Sequence, residues 1–427
     1  MARKSQNREL ICGVDIGTTK ICVLIAEPDD FGTGFNIIGI GQHPSKGLRK
    51  GVVVNLEQTI TSVEQAVEEA EMMAGVEVEN CYVGIAGDHI RSINSTGVIA
   101  ISKAGKKRPG ESNQISEHDI QRVLDWAKGV SLPMDREILH ILPQEYIVDD
   151  QSGVKDPIGM TGQRLEARVH IVTGAVTSAK NIVNCIRGAG LNVQDLVLEP
   201  LASSYAVLDE DEKDLGVALI DIGGGTTDVA VFFEGGVQHT GVIGLGGENV
   251  TKDIAHMLRT PMQQAEDIKI QYGRTHANTE QARAAANEII NVPGIGGRGS
   301  REITRDILIE YIEPRMEEML RMAQHEIRKA ECWQHLTAGV VLTGGGSMIE
   351  GIAELGEEIF EAPVKLGRTD IRGNILDDSK NPIYATAIGL IKYGMEHNRS
   401  PLSFQGDDNK VFNRIFERMR EWFNEFF

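Results

Sequence analysis

The sequence of 427 residues lacks any long apolar run that could cross a membrane. No stretch reaches about 18 uninterrupted apolar residues, which is the length that a membrane-spanning helix needs. The basic N-terminal stretch MARKSQNREL has no apolar core before Asp15, so we expect neither a signal peptide nor an anchor there. The sequence therefore predicts that no segment of this chain spans a bilayer.

Basic residues are also in short supply. The chain has 43 Lys and Arg residues against 62 Asp and Glu residues, which gives a formal net charge of −19 at pH 7. This charge argues against binding of nucleic acid through a general basic surface. It also means that any attraction to anionic lipid must be local. We expect no nucleic-acid partner.

Cysteine is scarce, and no cysteine or histidine motif typical of a metal site is present. The eleven histidines form no HExxH motif and no Cys/His cluster, so we expect no transition-metal site. The cysteines are odd in number, scattered and set in apolar surroundings, which predicts buried reduced thiols in a cytosolic protein. They are Cys12, Cys22, Cys81, Cys185 and Cys332.

The most informative stretch is Leu219 to Phe233, which reads LIDIGGGTTDVAVFF. Its apolar, β-branched ends and glycine-rich centre predict a β-hairpin whose turn exposes backbone N–H groups. Consecutive amides form a concave site that favours anions, and Thr226 and Thr227 add hydroxyl donors. Asp221, at the end of a buried strand, is placed to hold the waters around a Mg²⁺ ion. A glycine-rich hairpin that binds no ligand is the alternative interpretation.

The same pattern occurs near the start of the chain, where Cys12 to Ala26 reads CGVDIGTTKICVLIA. Aligning the two DIG triplets pairs the threonines at 18–19 with those at 226–227. In this alignment the second copy has two extra glycines, and Lys20 stands in the place of Asp228. A repeat about 200 residues apart is too long for a solenoid unit and indicates a duplicated domain. Two such hairpins would clamp one nucleotide between two lobes.

A third glycine-rich element, Ala338 to Glu350, reads AGVVLTGGGSMIE. It predicts a strand, a glycine turn and a helix from Ser347, whose N-terminus would offer free amides and a positive dipole end. No Gly-Lys-Ser/Thr follows, so it is not a Walker A loop, and GxGxxG is also missing. Upstream, Gly244 to Asp253 reads GLGGENVTKD, in which Glu248 and Lys252 would share a helical face. A surface ion pair is the alternative interpretation of these two residues.

These motifs and their spacing resemble the actin/Hsp70/sugar-kinase superfamily and, within it, the FtsA family of bacterial actin-like cell-division proteins. The segments HILPQEYIVDD, KNIVNCIRGAGL, LASSYAVL, TGGGSMIEG and IGLIKYG resemble that family, as does the terminal helix. The resemblance covers nearly all of the chain. It implies an α/β, actin-like fold of two duplicated RNase H-like lobes, with two inserted subdomains and a C-terminal amphipathic helix.

The resemblance also implies a site for ATP and Mg²⁺ between the lobes. Asp15 and Asp221 would hold the metal. Glu199 matches an acid that in Hsp70 relatives orients the attacking water, although Glu-Pro is also good chemistry for an ordinary helix start. The residues that we expect to bind the nucleotide are Asp15, Gly17, Thr18, Thr19, Lys20, Asp221, Gly223, Gly224, Gly225, Thr226, Thr227, Gly246, Gly247, Glu248, Lys252, Gly344, Gly345, Gly346 and Ser347.

Composition and motif order predict how the chain is divided. The first lobe is expected at residues 1–86 and 167–198, an inserted small domain at 87–166, the second lobe at 199–245 and 308–395, an inserted subdomain at 246–307, and a polar linker at 396–409. Within the inserted subdomain we expect an alanine-rich helix over Thr279–Ile290. Arg301 and Arg305 are expected to share a helical face there, in the subdomain that in FtsA relatives receives the tail of FtsZ.

The last segment, residues 410–427, is predicted to form an amphipathic helix that lies on a membrane surface. At about 100° per residue its apolar side chains fall on one face, with Arg418 and Arg420 at the borders. The expected lipid-facing residues are Phe412, Ile415, Phe416, Met419, Trp422, Phe423 and Phe426. A helix docked in the core is the alternative interpretation.

Together with the motifs, the resemblance to the FtsA family implies an ATP-binding cell-division protein that is peripheral to the cytoplasmic side of the inner membrane. It would polymerise there, tether FtsZ and later division proteins, and hydrolyse ATP slowly at most. An MreB-type cytoskeletal filament protein and an Hsp70-like or sugar-kinase-like ATPase are the alternatives. Against the chaperone, only about 30 residues follow the expected closing helix, which is too few for a substrate-binding domain.

Overall fold

The chain forms alternating strands and helices, seen in a computed structural model that describes residues 10–29, 34–101, 114–275, 287–297, 299–369 and 382–397. The strands are β1 Ile11–Ile16, β2 Lys20–Pro28, β3 Phe35–Pro44, β4 Leu48–Arg49, β5 Val52–Val53, β6 Asn80–Ile85, β7 Arg91–Ala100, β8 Arg136–Val148, β9 Gln151–Val154, β10 Arg164–Ala175, β11 Asn192–Leu198, β12 Val217–Ile222, β13 Thr227–Phe233, β14 Gly236–Ile243, β15 Ile289–Val292, β16 Arg301–Thr304, β17 Val340–Thr343 and β18 Val364–Leu366. The helices are α1 Leu56–Ala74, α2 Glu117–Ala127, α3 Val176–Gly188, α4 Glu199–Val207, α5 Glu210–Leu215, α6 Gly247–Leu258, α7 Met262–Tyr272, α8 Asp306–Ile327, α9 Ile352–Phe360 and α10 Ala385–His397.

Two five-stranded sheets repeat one topology. The first has the order β3-β2-β1-β6-β11 and the second β14-β13-β12-β17-β18. In each sheet the central strand is antiparallel to the hairpin strand that follows it and parallel to the strand on its other side. Because both orders and both directions match, the structure confirms the predicted α/β fold of two duplicated lobes.

The central strands show why the two hairpins fold where the sequence predicts them. β1 reads ICGVDI and β12 reads VALIDI, and every residue of both strands is buried. Continuous apolar runs of this kind are typical of strands that are covered on both faces. The five cysteines are likewise buried with free thiols, as predicted.

The lobes meet at two helices that cross each other, α4 and α10. α4 follows β11 of the first sheet and leads into the second lobe, and Lys392 Nζ of α10 donates to the carbonyl oxygen of Tyr205 on it at 2.9 Å. Gly389 makes the crossing tight, because an added Cβ would overlap the carbonyl oxygen of Ala202. α10 itself packs on the first sheet, where a Cβ at Gly13 would lie 3.0 Å from the Ala387 oxygen. The closing helix, predicted within the second lobe, therefore rests on the first.

A third sheet, with the order β7-β10-β8-β9, is formed by the part of the chain that lies between β6 and α3 in sequence. We call β7, β8, β9 and β10 the inserted sheet. α2 covers one of its faces and begins at a capping box of Ser116 and Asp119. The first lobe was expected to resume at residue 167. That position lies inside β10, which pairs along its length with β7 and β8 and so belongs to the inserted sheet.

The second inserted segment contains α6, α7 and the short hairpin β15–β16. The predicted helix Thr279–Ile290 lies largely outside the described residues, and its last two residues belong to β15, where Ile290 is buried and pairs with Ile303. Arg301 begins β16, and Arg305 precedes α8, so the prediction that they share a helical face was wrong. β-branched residues that can pair across a hairpin favour strand here over helix.

Two predicted boundaries also shift. After β17 the chain makes a 3₁₀ turn over Gly345–Met348, and α9 begins only at Ile352, so no α-helix starts at Ser347. α10 runs to His397, whose ring stacks on Tyr393 with the centroids 3.9 Å apart. The first two residues of the expected linker are therefore helical. The predicted membrane helix at 410–427 lies outside the described residues.

Candidate functional site

A cleft that is open to solvent lies between the two lobes. It is lined by residues of both hairpins, of α4, and of the turn after β17. Thirteen of the residues that the sequence singled out line it, namely Asp15, Gly17, Thr18, Thr19, Lys20, Glu199, Asp221, Gly223, Gly224, Gly225, Thr226, Gly344 and Gly345. The structure thus brings most of the three glycine-rich elements together.

The two hairpin turns have the same length. Ile16 pairs with Ile21 across four turn residues, and Ile222 pairs with Thr227 across four. The extra glycines in our alignment are therefore not an insertion. Counted from the strands, Lys20 is equivalent to Thr226, and Asp228 is equivalent to Cys22 rather than to Lys20. The repeated DIG triplets are aligned correctly, whereas the threonines that follow them are not.

The turns face each other with glycine opposite threonine. An ideal Cβ on Gly224 would lie 2.6 Å from Thr19 Oγ1, and one on Gly225 would lie 2.8 Å from Thr18 Cβ. Real Cβ atoms essentially never come within 3.0 Å of another heavy atom. The glycines of the second hairpin therefore leave the room that the threonines of the first one fill, and the lobes close until the two turns touch.

Four carboxyl groups converge at the base of the cleft. Asp15, Asp221 and Asp228 are buried, whereas Glu199 is partly exposed to the cleft. Burial, together with the charge of Asp221 and against that of Lys20, raises the pKa of Asp15 to about 6. Burial and the other three carboxylates raise the pKa of Glu199 well above its usual value. The base of the cleft thus holds more acidic groups than its own cations can keep ionised.

Hydrogen bonds fix two of these acids. Ser203 Oγ donates to Asp221 Oδ2 at 2.6 Å, and Thr386 Oγ1 donates to the same oxygen at 3.4 Å. Burial nonetheless raises the pKa of Asp221. Thr226 Oγ1 donates to Asp228 Oδ2 at 3.0 Å, while Asp228 Oδ1 is buried without a hydrogen-bond partner.

Asp228 was not among the predicted site residues, although it follows the glycine turn directly. Burial and the neighbouring Asp221 raise the pKa of Asp228 to about 8, although the Thr226 hydroxyl opposes the shift. The signal in the sequence was the second acid after GGGTT, which sits opposite Asp221 in the hairpin register. A hairpin with two facing buried carboxyl groups is costly unless a cation approaches them.

Lys20 is the cation closest to this cluster, and it spans the cleft. Its Nζ donates to the Ile383 carbonyl at 2.7 Å and lies 4.9 Å from the centroid of the Tyr384 ring. Its charge lowers the pKa of both Asp15 and Asp221 against the effect of burial. Lys20 thus joins the first hairpin to the segment that precedes α10.

The third glycine turn is only partly in the cleft. Gly344 has φ +81°, and a Cβ there would lie 2.7 Å from the Ile222 oxygen, so the turn packs against the end of β12. A Cβ on Gly345 would meet only Ile383 Cγ2 at 3.5 Å. Gly346 packs against Ile222, and the buried Ser347 donates to the Gly344 oxygen at 2.7 Å. The last two residues support the turn and do not line the cleft.

The other residues that were predicted to bind the nucleotide also do not line the cleft. Gly247 N donates to the Gly223 oxygen at 2.9 Å, and a Cβ on Gly246 would lie 2.7 Å from the same oxygen. Thr227 Oγ1 donates to the Leu245 oxygen at 2.9 Å. Glu248 and Lys252 form an ion pair of 2.9 Å, and both side chains are more than a third exposed. For these two residues the geometry matches the alternative interpretation, a surface ion pair.

Some lining residues were not predicted from the sequence. They are Ile16, Gly51, Ala86, Pro382, Ile383 and Thr386. Gly51 N donates to Thr18 Oγ1 at 3.1 Å, which orients a hydroxyl of the first turn. Apart from Ile16, these residues lie far from any glycine motif in sequence, and only the tertiary fold brings them to the cleft.

Neither a cluster that could hold a metal ion directly nor a membrane-spanning helix is present in the described part of the chain. There, no group of three or more His, Cys, Asp or Glu side chains is arranged to hold a metal ion directly. None of the helices in those ranges is both long and apolar enough to cross a membrane. The predicted lipid-facing residues, and Arg418 and Arg420 at the borders of that face, fall outside these ranges.

Comparison with known proteins gives the family. The profile described as "Cell division protein FtsA" matches residues 218–389, and that of the "SHS2 domain inserted in FTSA" matches residues 87–173. The chain is 46% identical over 424 residues to the cell division protein FtsA of Pseudomonas aeruginosa, covering 98% of each chain. The second match coincides closely with the inserted sheet and α2.

Solved structures with little sequence identity share the fold. The PilM-PilN type IV pilus biogenesis complex matches with a TM-score of 0.64 at 15% identity, covering 91% of this chain and 99% of the other. MreB 5 of Spiroplasma citri bound to AMPPNP matches with a TM-score of 0.55 at 13% identity, covering 96% and 99%. Both are consistent with the actin-like, two-lobed architecture, which confirms the predicted fold class. With its full-length similarity to curated relatives, the chain belongs to the FtsA family of bacterial cell-division proteins.

Proposed function

We propose that the chain binds ATP with Mg²⁺ in the cleft between its lobes and uses this site to control its assembly in cell division. The observation that carries the proposal is the pair of facing turns, in which glycines of one hairpin accommodate threonines of the other. Turns that expose backbone amides and hydroxyls from two sides favour a polyphosphate between them. The MreB 5 structure of the same fold is described as bound to AMPPNP, which supports this choice of ligand.

Different residues of the chain would contact different parts of the bound nucleotide. Backbone amides of Gly17–Lys20 and Gly224–Thr226 would surround the phosphates, with hydroxyl donors from Thr18 and Thr19. Lys20 would add a positive charge on the first-lobe side. Gly345, which has free space in front of it, would let the third turn approach the nucleotide.

The donor set fits a hydrated Mg²⁺ ion. Mg²⁺ prefers oxygen ligands and keeps several of its waters, so it does not require three carboxylates in direct contact. Asp15 and Asp221 offer carboxylate oxygens at the ends of equivalent strands, and Asp228 Oδ1 has no partner. When bound, the ion would neutralise phosphate charge and favour the ionised forms of these acids.

Glu199 is the candidate for orienting a water against the terminal phosphate. It opens α4 beside β6, where a Cβ on Gly84 would lie 3.1 Å from Glu199 Cγ. Burial and the carboxylates around it raise the pKa of Glu199 well above its usual value, which holds the side chain towards its protonated form and makes it a poor base. This environment supports slow hydrolysis at most and a protein that acts mainly as a scaffold.

Membership of the FtsA family supports a further proposal about the role of the whole chain. ATP-bound molecules would associate head to tail into filaments on the cytoplasmic side of the inner membrane. The amphipathic segment 410–427 would hold them there as peripheral proteins, and the filaments would tether FtsZ and later division proteins. The 46% identity to an FtsA protein, against 13% to an MreB protein, favours this role over the cytoskeletal or sugar-kinase alternatives.

Substitution of Gly345 by valine tests the site. The position tolerates a Cβ within the fold, since only Ile383 Cγ2 lies near it, at 3.5 Å. A branched side chain there should fill space needed by the nucleotide and raise the Kd for Mg-ATP at least tenfold in isothermal titration calorimetry. Gly299→Val is the matched control, because a Cβ at Gly299 meets nothing within 4 Å and lies in another segment. Wild-type affinity in a folded Gly345→Val protein would remove the third turn from the site.

A further inference from the structure

The inserted sheet contacts the second lobe, although in sequence it is an insertion in the first lobe. It is joined to the first lobe through the connections β6–β7 and β10–α3. Its face opposite α2 lies across β14, which is the edge strand of the second sheet. The two lobes are thus linked at the crossing of α4 and α10 and again through this sheet.

Side-chain hydrogen bonds fix the sheet to β14. Ser92 Oγ donates to the carbonyl of Thr240 at 2.8 Å, and Gln144 Nε2 donates to the carbonyls of Val237 and Gln238 at 3.1 and 3.2 Å. Lys155 Nζ pairs with Asp214, just before β12, at 2.8 Å. We call Ser92, Gln144, His170 and Thr240 the β14 contact.

His170 is the buried centre of the β14 contact. Its Nδ1 lies 2.7 Å from Asn94 Oδ1 and donates to it in the tautomer that carries the proton on Nδ1. In the same tautomer, Nε2 accepts from the Thr240 hydroxyl at 2.9 Å. His170 is 1% exposed, so a sliding motion that broke either bond would leave a buried polar atom without a partner.

β14 is connected to the Gly223–Thr226 turn of the second lobe, which belongs to the proposed phosphate site. It pairs along its length with β13, which begins at Thr227 directly after the Gly223–Thr226 turn. The chain that leaves β14 returns to this turn, where Gly247 N and Glu248 N donate to the oxygens of Gly223 and Gly224 at 2.9 and 2.8 Å. A displacement of β14 must therefore move the turn or bend the strand.

From this arrangement we propose that the inserted sheet acts as a brake on opening of the nucleotide cleft. If the lobes rotate apart about the α4–α10 crossing, a sheet fixed to the first lobe has to slide over β14 and break the β14 contact. The contact therefore favours the closed cleft and slows nucleotide release. The inference rests on the proposed nucleotide site. A partner that separated the inserted sheet from β14 would promote nucleotide exchange.

A reversible disulfide tests the brake within one protein. An ideal Cβ on Gly236 would lie 3.3 Å from Gln144 Cα, and Gly236 does not have a positive φ, so the double variant Gln144→Cys/Gly236→Cys places two thiols within bonding reach. Protein loaded with a fluorescent ATP analogue and Mg²⁺ is chased with excess ATP in a stopped-flow instrument. Oxidised protein should release the analogue on the order of tenfold more slowly than the same protein after reduction.

A loosened contact should act in the opposite direction. Thr240→Val keeps a β-branched strand residue but removes the hydroxyl that donates to His170, so release should be on the order of fivefold faster. Thr96→Val, an exposed position on β7 away from β14, is the matched control and should release at the wild-type rate. Equal release rates for oxidised, reduced and Thr240→Val protein would overturn the brake.

A second readout separates the brake from the nucleotide site itself. Hydrogen–deuterium exchange of the amides at residues 17–20 and 223–227 reports opening of the cleft without any ligand. If no variant binds the analogue, the proposed site fails, and the exchange measurement alone decides. Slower exchange after oxidation would then support the brake, and unchanged exchange would overturn it.

Discussion

Adding one methyl group to the second hairpin should prevent the cleft from closing fully. An ideal Cβ on Gly224 would lie 2.6 Å from Thr19 Oγ1 and 3.0 Å from Thr19 Cβ. Non-bonded heavy atoms in contact lie about 3.5–4.0 Å apart, so Gly224→Ala requires the turns to separate by roughly 1 Å. Overpacking of this kind typically costs about 1–3 kcal/mol. If the closed state alone bears that cost, the Kd for Mg-ATP rises about 5- to 140-fold.

A double-mutant cycle with Thr19→Ala isolates the steric term. Thr19→Ala removes Oγ1 and Cγ2 and leaves only a Cβ at 3.0 Å from the new methyl group. It weakens binding by itself if the hydroxyl contacts phosphate, but Gly224→Ala should cost less in this background, with a coupling of about 1 kcal/mol. Isothermal titration calorimetry of all four proteins gives the cycle.

The control for this cycle is the stability of the protein without ligand. The Gly224 and Thr19 turns belong to different lobes, which can part slightly at the α4–α10 crossing, so the thermal midpoint without ATP should barely change. Gly299→Ala provides a methyl group in open space for comparison. If Gly224→Ala binds Mg-ATP with wild-type affinity, or costs the same with and without Thr19, the facing turns do not close on the ligand.

The same geometry supports three further predictions. Glu199→Ala should keep the affinity for Mg-ATP but lose most of any hydrolysis in a phosphate-release assay, and unchanged turnover would mean that Glu199 only begins a helix. The pKa of Asp228 is about 8 in the folded state and 3.8 in the unfolded state. Between these pH values the folded state holds a proton that the unfolded state releases, so the free energy of unfolding should fall as the pH rises from about 4 to about 8. Asp228→Asn should flatten this fall in thermal midpoints measured without Mg²⁺, and a fall as steep as that of the wild type would refute the assignment. Removal of residues 410–427, or Trp422→Glu, should abolish flotation with lipid vesicles and ATP-dependent sedimentation on them while Mg-ATP binding persists, and a truncated protein that still floats would place the anchor elsewhere.

Local patterns were enough to predict the elements that position the site. The runs around Asp15 and Asp221 are apolar on both sides, so their strand character does not depend on distant partners. The duplication was visible because both strands end in the same DIG triplet. α4 was predicted from Glu-Pro at its start, and the structure begins it at Glu199.

The failures have a common physical origin in pairings between distant residues. Ile289 and Ile290 follow an alanine-rich stretch that favours helix, but pairing with Thr304 and Ile303 makes them a strand. β10 looks like a strand of the first lobe until its two partners, β7 and β8, are known. The mispaired threonines show the same limit, since identical letters suggested a gap where the hairpin register has none.

The facing turns limit how similar the two lobes of this chain can be. Each turn meets the other through equivalent positions, Thr19 against Gly224 and Thr18 against Gly225, as across an approximate two-fold axis. In a chain made of two identical first lobes, threonine would face threonine, and the steric overlap would hold the cleft open. Two identical second lobes would set glycine against glycine and leave a gap. The two turns therefore have to differ in sequence for the lobes to close on each other, and one lobe could not replace the other.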